Sequence, residues 1–212
     1  MVDISTIILF VGAALVLLVI PGPAVIYIIT RSIDQGRAAG VISALGISVG
    51  TFIHVVAAVL GLSAILISSA TAFSVVKYIG AIYLIYLGIR ELINRREIDF
   101  QEHFEKNVPL KKIFFEGILV NLLNPKLALF MLAFLPQFVK ISNGPVALQI
   151  LTLGFILIAL GFTSDTIYAL LSSSVRGWLR KYPSVMTVQK RFTGTVYVAL
   201  GLLTALASSP RS

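Results

Sequence analysis

The chain lacks cysteine entirely, and only 12% of its 212 residues are charged. The absence of cysteine excludes disulfide bonds and thiolate metal sites. A soluble domain usually carries about 25% charged residues, so the scarcity of charge argues against a soluble domain. Histidine and carboxylate residues also do not cluster at the spacings typical of metal or hydrolase sites. We therefore expect no cofactor, no bound metal and no enzymatic activity.

Long apolar runs take up most of the sequence instead. Apolar residues make up 58% of the chain, and its mean hydropathy is +0.97. A membrane-spanning helix needs roughly 20 apolar residues, so the uncharged stretch 38–76 is too long for one span, and we expect a turn near the polar cluster 68–71. The pattern predicts an all-α, polytopic membrane protein embedded in the lipid bilayer. Its six transmembrane helices are expected at residues 4–30, 38–66, 73–93, 113–138, 146–174 and 190–208.

The basic residues indicate how these helices are oriented, because cytoplasmic loops are enriched in Lys and Arg. Basic-rich and basic-poor segments alternate along the chain. Thirteen of the 17 basic residues lie in three loops that would share one side, and three lie in segments on the other side. This alternation predicts that both termini lie outside. It also explains the formal net charge of +8, so we expect no nucleic-acid partner, which would require a single basic patch.

A polar stretch over residues 94–112 divides this single transporter domain into two sets of three helices, 1–93 and 113–212. Because three is an odd number, the two sets have opposite orientations, which is the inverted-repeat organisation of many transporters. Residues 77–83 and 191–197 share a basic residue, an aromatic residue, a glycine and a tyrosine at equal spacing. We interpret this similarity as a 3+3 repeat, and chance similarity between apolar helices is the alternative.

Proline interrupts one apolar run in each half, at corresponding places. Pro21-Gly22-Pro23 interrupts the first run, and Asn124-Pro125-Lys126 interrupts the fourth. Proline has no N–H and clashes with the carbonyl four residues earlier, so it bends or breaks a helix. Two such breaks in matching positions are the best sequence indication of a transport site. Kinks that shape the packing without contacting a ligand are the alternative.

The two breaks favour a site for a zwitterion. A proline frees a carbonyl, such as that of Asn121 before Pro125, which can accept a hydrogen bond from an ammonium group. The helix that restarts after a break offers free N–H groups and a positive dipole end, which suit a carboxylate. The predicted substrate-binding residues are Pro21, Gly22, Pro23, Asn121, Asn124, Pro125 and Lys126.

Few ionisable residues fall inside the predicted helices, and three of them are candidates for a functional role. Lys126 is expected near the midplane of the fourth helix and Asp165 late in the fifth. Charged residues in such positions are costly and mark ion or substrate paths by default, so Asp165 is our first candidate for proton coupling. His54 is the second, because histidine titrates near neutral pH. A purely structural Lys126–Asp165 ion pair and a packing role for His54 are the alternatives.

Glycines at four-residue spacing occur twice around the second predicted helix. The pairs are Gly36 with Gly40 and Gly46 with Gly50. Such small residues let helix backbones approach closely, so we interpret them as packing residues within the molecule. A contact between the two copies of a homodimer is the alternative.

Several of these motifs occur in an order that is similar to a known family. They are Pro21-Gly22-Pro23, Gly36-Arg37-x-x-Gly40, Leu45-Gly46-Ile47-x-x-Gly50, Gly80-Ala81-x-Tyr83-Leu84-x-Tyr86-Leu87-Gly88, and Asn124-Pro125-Lys126 followed by Phe134-x-Pro136-Gln137-Phe138. Together they resemble the LysE/RhtB family of amino-acid exporters over nearly the whole chain. The resemblance implies six helices in the bacterial inner membrane and efflux of amino acids or their derivatives, driven by the proton gradient.

One departure from this family concerns the residue after Gly50. Such proteins often carry an acidic or amide residue there, and this chain has Thr51. The departure favours a neutral amino acid over lysine or arginine as the substrate. We therefore expect a secondary transporter that exchanges neutral amino acids for protons. A cation or metal transporter and a non-transporting structural membrane protein are the alternatives, although neither explains a lysine beside a proline at the midplane.

Overall fold

The structure, a computed structural model, is helical in every part that it describes, and these parts contain no strand. The predicted all-α class is confirmed. Ser69, within the predicted turn at 68–71, lies outside the described residues, as do the linker residues 94–107 and most of the sixth predicted helix. The described residues are 2–19, 22–68, 70–93, 108–181, 191, 194–195, 198–199, 201–202 and 204–206.

The segment of the first predicted helix, 4–30, forms two separate helices in the structure. Helix α1 spans Ile4–Val19 and helix α2 spans Pro23–Gln35, and their axes meet at an angle of 56°. Gly22 is the N-cap residue of α2 and Pro23 occupies its first turn. Proline is well suited to this position, because the N–H that it lacks would have no partner in the helix. The predicted interruption is therefore confirmed.

Helices α3 and α4 follow. Helix α3 spans Arg37–Ser68 and α4 spans Ala70–Ile93. Between α2 and α3 the chain turns at Gly36. Its φ is +87°, a backbone conformation that is energetically unfavourable for a residue with a side chain. A Cβ at Gly36 would meet nothing within 4 Å. The prediction that Gly36 is a packing residue is wrong, and its role is to make this turn.

The fourth predicted helix is also broken at its proline. Helix α5 spans Leu110–Leu122, α6 begins at Pro125 and spans Pro125–Leu129, and the axes before and after the break differ by 50°. One π-helical turn at Phe130–Phe134 and one 3₁₀ turn at Leu135–Phe138 continue α6. After a second 3₁₀ turn at Ile141–Asn143, helix α7 spans Val146–Lys181.

Two helices are long and apolar enough to cross a membrane, α3 over Arg37–Gly61 and α7 over Val146–Ser172. If each bent pair is counted as one span, the described residues contain up to four. The third predicted span coincides with α4, whose apolar stretch covers the shorter range Tyr78–Arg90. The predicted total of six spans therefore stays a prediction.

Helix α3 packs along both α5 and α7. Its contact with α5 depends on glycine, since a Cβ at Gly46 would collide with the backbone carbonyl of Phe114, and one at Gly50 would lie 2.8 Å from Cβ of Asn121. This close approach confirms the predicted packing role of Gly46 and Gly50. It also holds the end of α5, and with it the break before α6, against the middle of α3.

Buried apolar residues form two clusters, one toward each end of α3. The first cluster joins α1, the later part of α3, α6 with its continuation, and the early part of α7, and includes Leu17, Leu127 and Leu157. The second joins α2, the early part of α3, α5 and the later part of α7, and includes Ala24 and Ile47. Residues of both clusters line the cavity described next, which therefore lies where the two clusters meet.

Candidate substrate site

An open cavity lies at the two helix breaks, and its space is about 590 Å³ when the open solvent at its mouth is included. Five of the nine predicted site residues line it, from four different segments of the chain. These five are Gly22, Asn121, Asn124, Lys126 and Asp165. The structure thus brings residues of both proline motifs and the intramembrane aspartate to one place.

Three of the other four predicted residues, Pro23, Pro125 and His54, do not line the cavity. Pro23 and Pro125 occupy the first positions of α2 and α6, where they are exposed, and Pro21 lies outside the described residues. His54 stands behind the wall of the cavity, with its Nε2 atom 3.2 Å from the backbone oxygen of Asn121. The prolines therefore act on the described site through the chain direction that they impose.

The start of α2 presents backbone donors to the cavity. Gly22, the N-cap residue, has no side chain to cap the helix, and Pro23 has no N–H. The first intrahelical bond recorded at this end runs from the N–H of Ile26 to the oxygen of Gly22, at 3.0 Å. The N–H groups of Ala24 and Val25 precede it and have no acceptor within the helix. Both residues line the cavity, where the positive end of the helix dipole adds to their attraction for an anion.

Lys126 reaches from the second break to the first. A Cβ atom at Gly22 would lie 3.5 Å from Cδ and 3.9 Å from Nζ of Lys126. The side-chain oxygen of Asn124 accepts a hydrogen bond from the backbone N–H of Lys126 at 3.1 Å, which caps α6 and fixes the start of that helix. A primary ammonium group and the start of α2 therefore face the same space.

Asp165 supplies the opposite charge. It is 6% exposed, lines the cavity from α7, and interacts electrostatically with Lys126. No other ionisable side chain is among the described residues that line the cavity. The described wall thus carries one basic and one acidic side chain, which are the partners that the carboxylate and the ammonium group of a zwitterion require.

Asn121 connects the cavity wall to α3. Its side-chain Nδ2 donates to the backbone oxygen of Ile47 at 2.7 Å and to Oγ1 of Thr51 at 2.8 Å. Its backbone oxygen accepts from the N–H of Asn124 at 3.1 Å and lies beside His54. The expectation that this carbonyl is free for a ligand is wrong, because the turn between α5 and α6 and a histidine of α3 occupy it.

Sequence reasoning missed part of the lining. Thr51 lines the cavity, and its departure from the family pattern was the one signal that pointed to it. Ser48 also lines the cavity, but its hydroxyl donates to the backbone oxygen of Ala44 at 2.9 Å, as in many helices. The remaining residues that were missed are apolar or glycine, in runs where nothing distinguishes cavity-facing from lipid-facing positions. They include Leu17, Leu18, Leu157, Ile158, Gly161 and Phe162.

A second polar cluster lies away from the cavity, between α2 and α5. Arg31 is 2% exposed, and its Nη2 is 2.6 Å from Oε2 of Glu116. The hydroxyl of Tyr27 donates to the backbone oxygen of Ile113 at 3.0 Å and to the same carboxylate at 3.1 Å, and the Arg31 guanidinium lies 5.5 Å from the centre of the Tyr27 ring. These contacts fix α2 against α5 and so support the angle at which α2 enters the cavity.

Comparison with known proteins gives a consistent result. The sequence model of a family described as LysE type translocator matches residues 15–208. A homoserine/homoserine lactone efflux protein of Salmonella typhimurium is 33% identical over 187 residues, which cover 88% of this chain and 89% of the relative. A leucine efflux protein of the same species is 32% identical over 132 residues, or 62% of each chain. An uncharacterized membrane protein of Bacillus subtilis is 29% identical, over 93% of this chain and 97% of the relative. No solved structure matches the chain.

Proposed function

The chain belongs to the LysE family of translocators, and from this premise we propose that it exports neutral amino acids in exchange for protons. As a member of this family it is a multi-pass membrane transporter and not an enzyme. The observation that carries the proposal is the meeting of Lys126, the start of α2 and Asp165 in one cavity. Efflux activities of the named relatives support amino-acid export as the direction of transport.

The substrate carboxylate binds between Lys126 and the start of α2. Helix N-termini are anion sites, because their first N–H groups are unbonded and the helix dipole is positive there. The N–H groups of Ala24 and Val25 have no acceptor within the helix, and the ammonium of Lys126 adds a positive charge. The ammonium group lies close to this helix start, since a Cβ built on Gly22 would be 3.9 Å from Nζ of Lys126.

The substrate ammonium and the transported proton compete for Asp165. A buried carboxylate must be neutralised by a proton or by a cationic partner. When the substrate ammonium supplies that partner, the proton leaves, and when the substrate leaves, a proton takes its place. Because one carboxylate cannot hold both, binding at Asp165 couples the two movements in opposite directions. While the substrate is bound, Lys126 pairs with the substrate carboxylate.

The neutral character of the substrate follows from the composition of the described wall. A basic substrate would bring a second positive charge, and Asp165 is the single carboxylate among the described lining residues. At Thr51 the chain offers a hydroxyl group, and that hydroxyl is already bonded to Asn121. Within the described ranges, no three histidine or acidic residues come together in a way that could hold a metal ion, which argues against metal transport.

The proposal includes two inverted halves, 1–93 and 113–212, joined by a cytoplasmic linker in the inner membrane of a bacterium. Contacts of α4 with the described residues Gly194 and Gly201 support it. A Cβ at Gly88 would lie 2.7 Å from the oxygen of Gly194, and one at Gly201 would lie 2.8 Å from the oxygen of Ala81. Ala81 and Gly194 belong to the two matching segments, 77–83 and 191–197, so each half contributes its copy of the motif to this contact. Whether two copies associate as a homodimer is a separate question.

Proton coupling through Asp165 can be tested with purified protein in liposomes. Asp165→Asn should abolish amino-acid accumulation driven by a pH gradient, because an amide cannot exchange a proton, whereas Asp165→Glu should retain part of it. Asp3→Asn is the matched control, since Asp3 accepts a hydrogen bond from Asn143 and does not line the cavity. Full pH-driven accumulation by Asp165→Asn would refute the role assigned to Asp165.

A further inference from the structure

One end of the cavity is apolar. It stays unoccupied when the amino and carboxyl groups of a substrate bind at the charged end. The apolar end is formed by residues of the first hydrophobic cluster, which approach from α1, α6 and α7. These residues are Leu17, Leu18, Leu127, Leu157 and Ile158. Apolar walls with a few polar groups at one end are typical of small-molecule sites, where the polar groups orient the ligand and the walls select its shape.

On the face of α7 that lines the cavity, Gly161 lies between the charged part at Asp165 and the apolar part at Leu157. Asp165, Gly161 and Leu157 follow one another at four-residue spacing, so they share a face of the helix, and all three line the cavity. A ligand whose ammonium group contacts Asp165 must therefore pass its side chain over Gly161 to reach Leu157. The absence of a side chain at position 161 leaves this passage open.

The space above Gly161 is bounded by α1. A Cβ atom built on Gly161 would meet one atom within 4 Å, the Cδ2 of Leu18, at 3.6 Å, which is an ordinary van der Waals contact. By contrast, a Cβ at Gly154, two turns earlier on the same helix, would collide with Val55, at 2.5 Å from its Cγ1. Helix packing thus explains glycine at position 154, but it does not require glycine at position 161.

We propose that Gly161, together with Leu18, determines substrate size, and that the substrates are amino acids with an aliphatic side chain. This inference rests on the proposed function, because it assumes that the charged end of the cavity holds the amino and carboxyl groups. A methyl group added at position 161 narrows the passage between α7 and α1. It excludes long aliphatic side chains and leaves short ones unaffected.

The test compares leucine with alanine as substrates of the purified protein in liposomes. One methylene group in an apolar pocket changes discrimination by roughly 10-fold or more, so Gly161→Ala should lower leucine transport relative to alanine transport by about tenfold. Leu18→Ala added to Gly161→Ala removes the atom that the new methyl group meets, and it should restore most leucine transport. Gly12→Ala is the control, because a Cβ there meets nothing within 4 Å and Gly12 does not line the cavity.

The outcomes separate this inference from the function on which it rests. If the unchanged protein transports no amino acid, the proposed function fails. Suppose that the unchanged protein transports leucine, and that Gly161→Ala either lowers leucine and alanine transport equally or changes neither. The proposed function then stands, and the size-determining role of Gly161 is refuted. If the unchanged protein prefers hydroxylated amino acids to leucine, the aliphatic assignment is refuted and the proposed function stands, whereas a preference for basic amino acids refutes the neutral substrate of the proposed function as well. Thermal unfolding of each variant in detergent shows whether a variant that has lost transport of both substrates is still folded.

Discussion

Lys126 is the residue whose replacement tests the carboxylate site most simply. Lys126→Met keeps the length of the side chain and removes its charge, so binding of leucine should fall roughly tenfold or more, as expected for a hydrogen bond to a charged group. Binding of leucinamide, which has no carboxylate, should hardly change. Calorimetry with the purified protein measures both.

Lys140→Met is the matched control for this replacement, because Lys140 is exposed and does not line the cavity. It should leave the preference for leucine over leucinamide intact. If Lys126→Met keeps that preference as well, Lys126 does not contact the substrate carboxylate, and a purely structural interaction with Asp165 becomes the better interpretation of its position.

Glu116 offers a second residue-scale prediction, on stability. Glu116→Gln removes the charge that Arg31 contacts at 2.6 Å, and Arg31 is buried and stays charged. The free energy of unfolding should fall by about 1–3 kcal/mol. The loss should not be larger, because the side chain of Glu116 is 31% exposed and water screens part of its interaction with Arg31. Thermal unfolding in detergent would record the change.

A control for Glu116→Gln is available on the same helix. The ammonium of Lys112 lies 4.0 Å from Oε1 of Glu116, and its side chain is 59% exposed. Exposed ion pairs contribute at most about 1 kcal/mol, so Lys112→Gln should leave the unfolding temperature almost unchanged. Equal effects of the two variants would mean that the Arg31 contact does not fix α2 against α5.

How far the site could be predicted from sequence depends on whether the interactions are local. The breaks before Pro23 and Pro125 follow from the chemistry of proline itself, and Lys126 and Asp165 stand out because charge is rare in membrane helices. The carbonyl of Asn121 was predicted wrongly, since its partners, the N–H of Asn124 and the ring of His54, depend on how the turn closes and how α3 packs. Gly161 carries no local signal, because apolar residues face both the lipid and the cavity.

At the scale of helices, the contact between α3 and α5 depends on glycine. Gly46→Ala would push a Cβ into the backbone carbonyl of Phe114, which cannot move without shifting α5. Overpacking of this kind costs about 1–3 kcal/mol, and it would also displace Asn121 at the cavity. We expect a lower unfolding temperature together with weaker leucine binding.

Gly61→Ala, later in α3, is the matched control for the glycine contact, because a Cβ there meets nothing within 4 Å. It should leave both stability and binding close to those of the unchanged protein. A Gly46→Ala variant that unfolds at the same temperature as Gly61→Ala would contradict the close approach of α3 and α5.

The sequence predicted helices well and their ends less well. The expected helix 146–174 continues to Lys181 in α7, since charged residues can extend a helix beyond the membrane where hydropathy no longer indicates it. The expected helix 113–138 changes to π and 3₁₀ geometry after Leu129. No local pattern in an apolar run predicts such a change, because the residues pack equally well in an α-helix.

For the whole molecule, the proposed topology can be tested with single cysteines, since the chain has none of its own. Asn143 donates a hydrogen bond to Asp3 at 2.8 Å, so the start of the chain and the segment before α7 share one end of the molecule. A membrane-impermeant maleimide added to intact cells should label Ser142→Cys. It should label Lys111→Cys only after the membrane is permeabilised. The opposite pattern would contradict outside termini.

The central claim is that this molecule exchanges neutral amino acids for protons, and transport by the purified protein tests it most directly. Liposomes with an acidic lumen should accumulate radiolabelled leucine above the external concentration, because protons leaving down their gradient drive leucine inward. A protonophore should abolish the accumulation. Flux of none of the twenty amino acids, or leucine flux that only equilibrates whatever the pH gradient, would contradict the account.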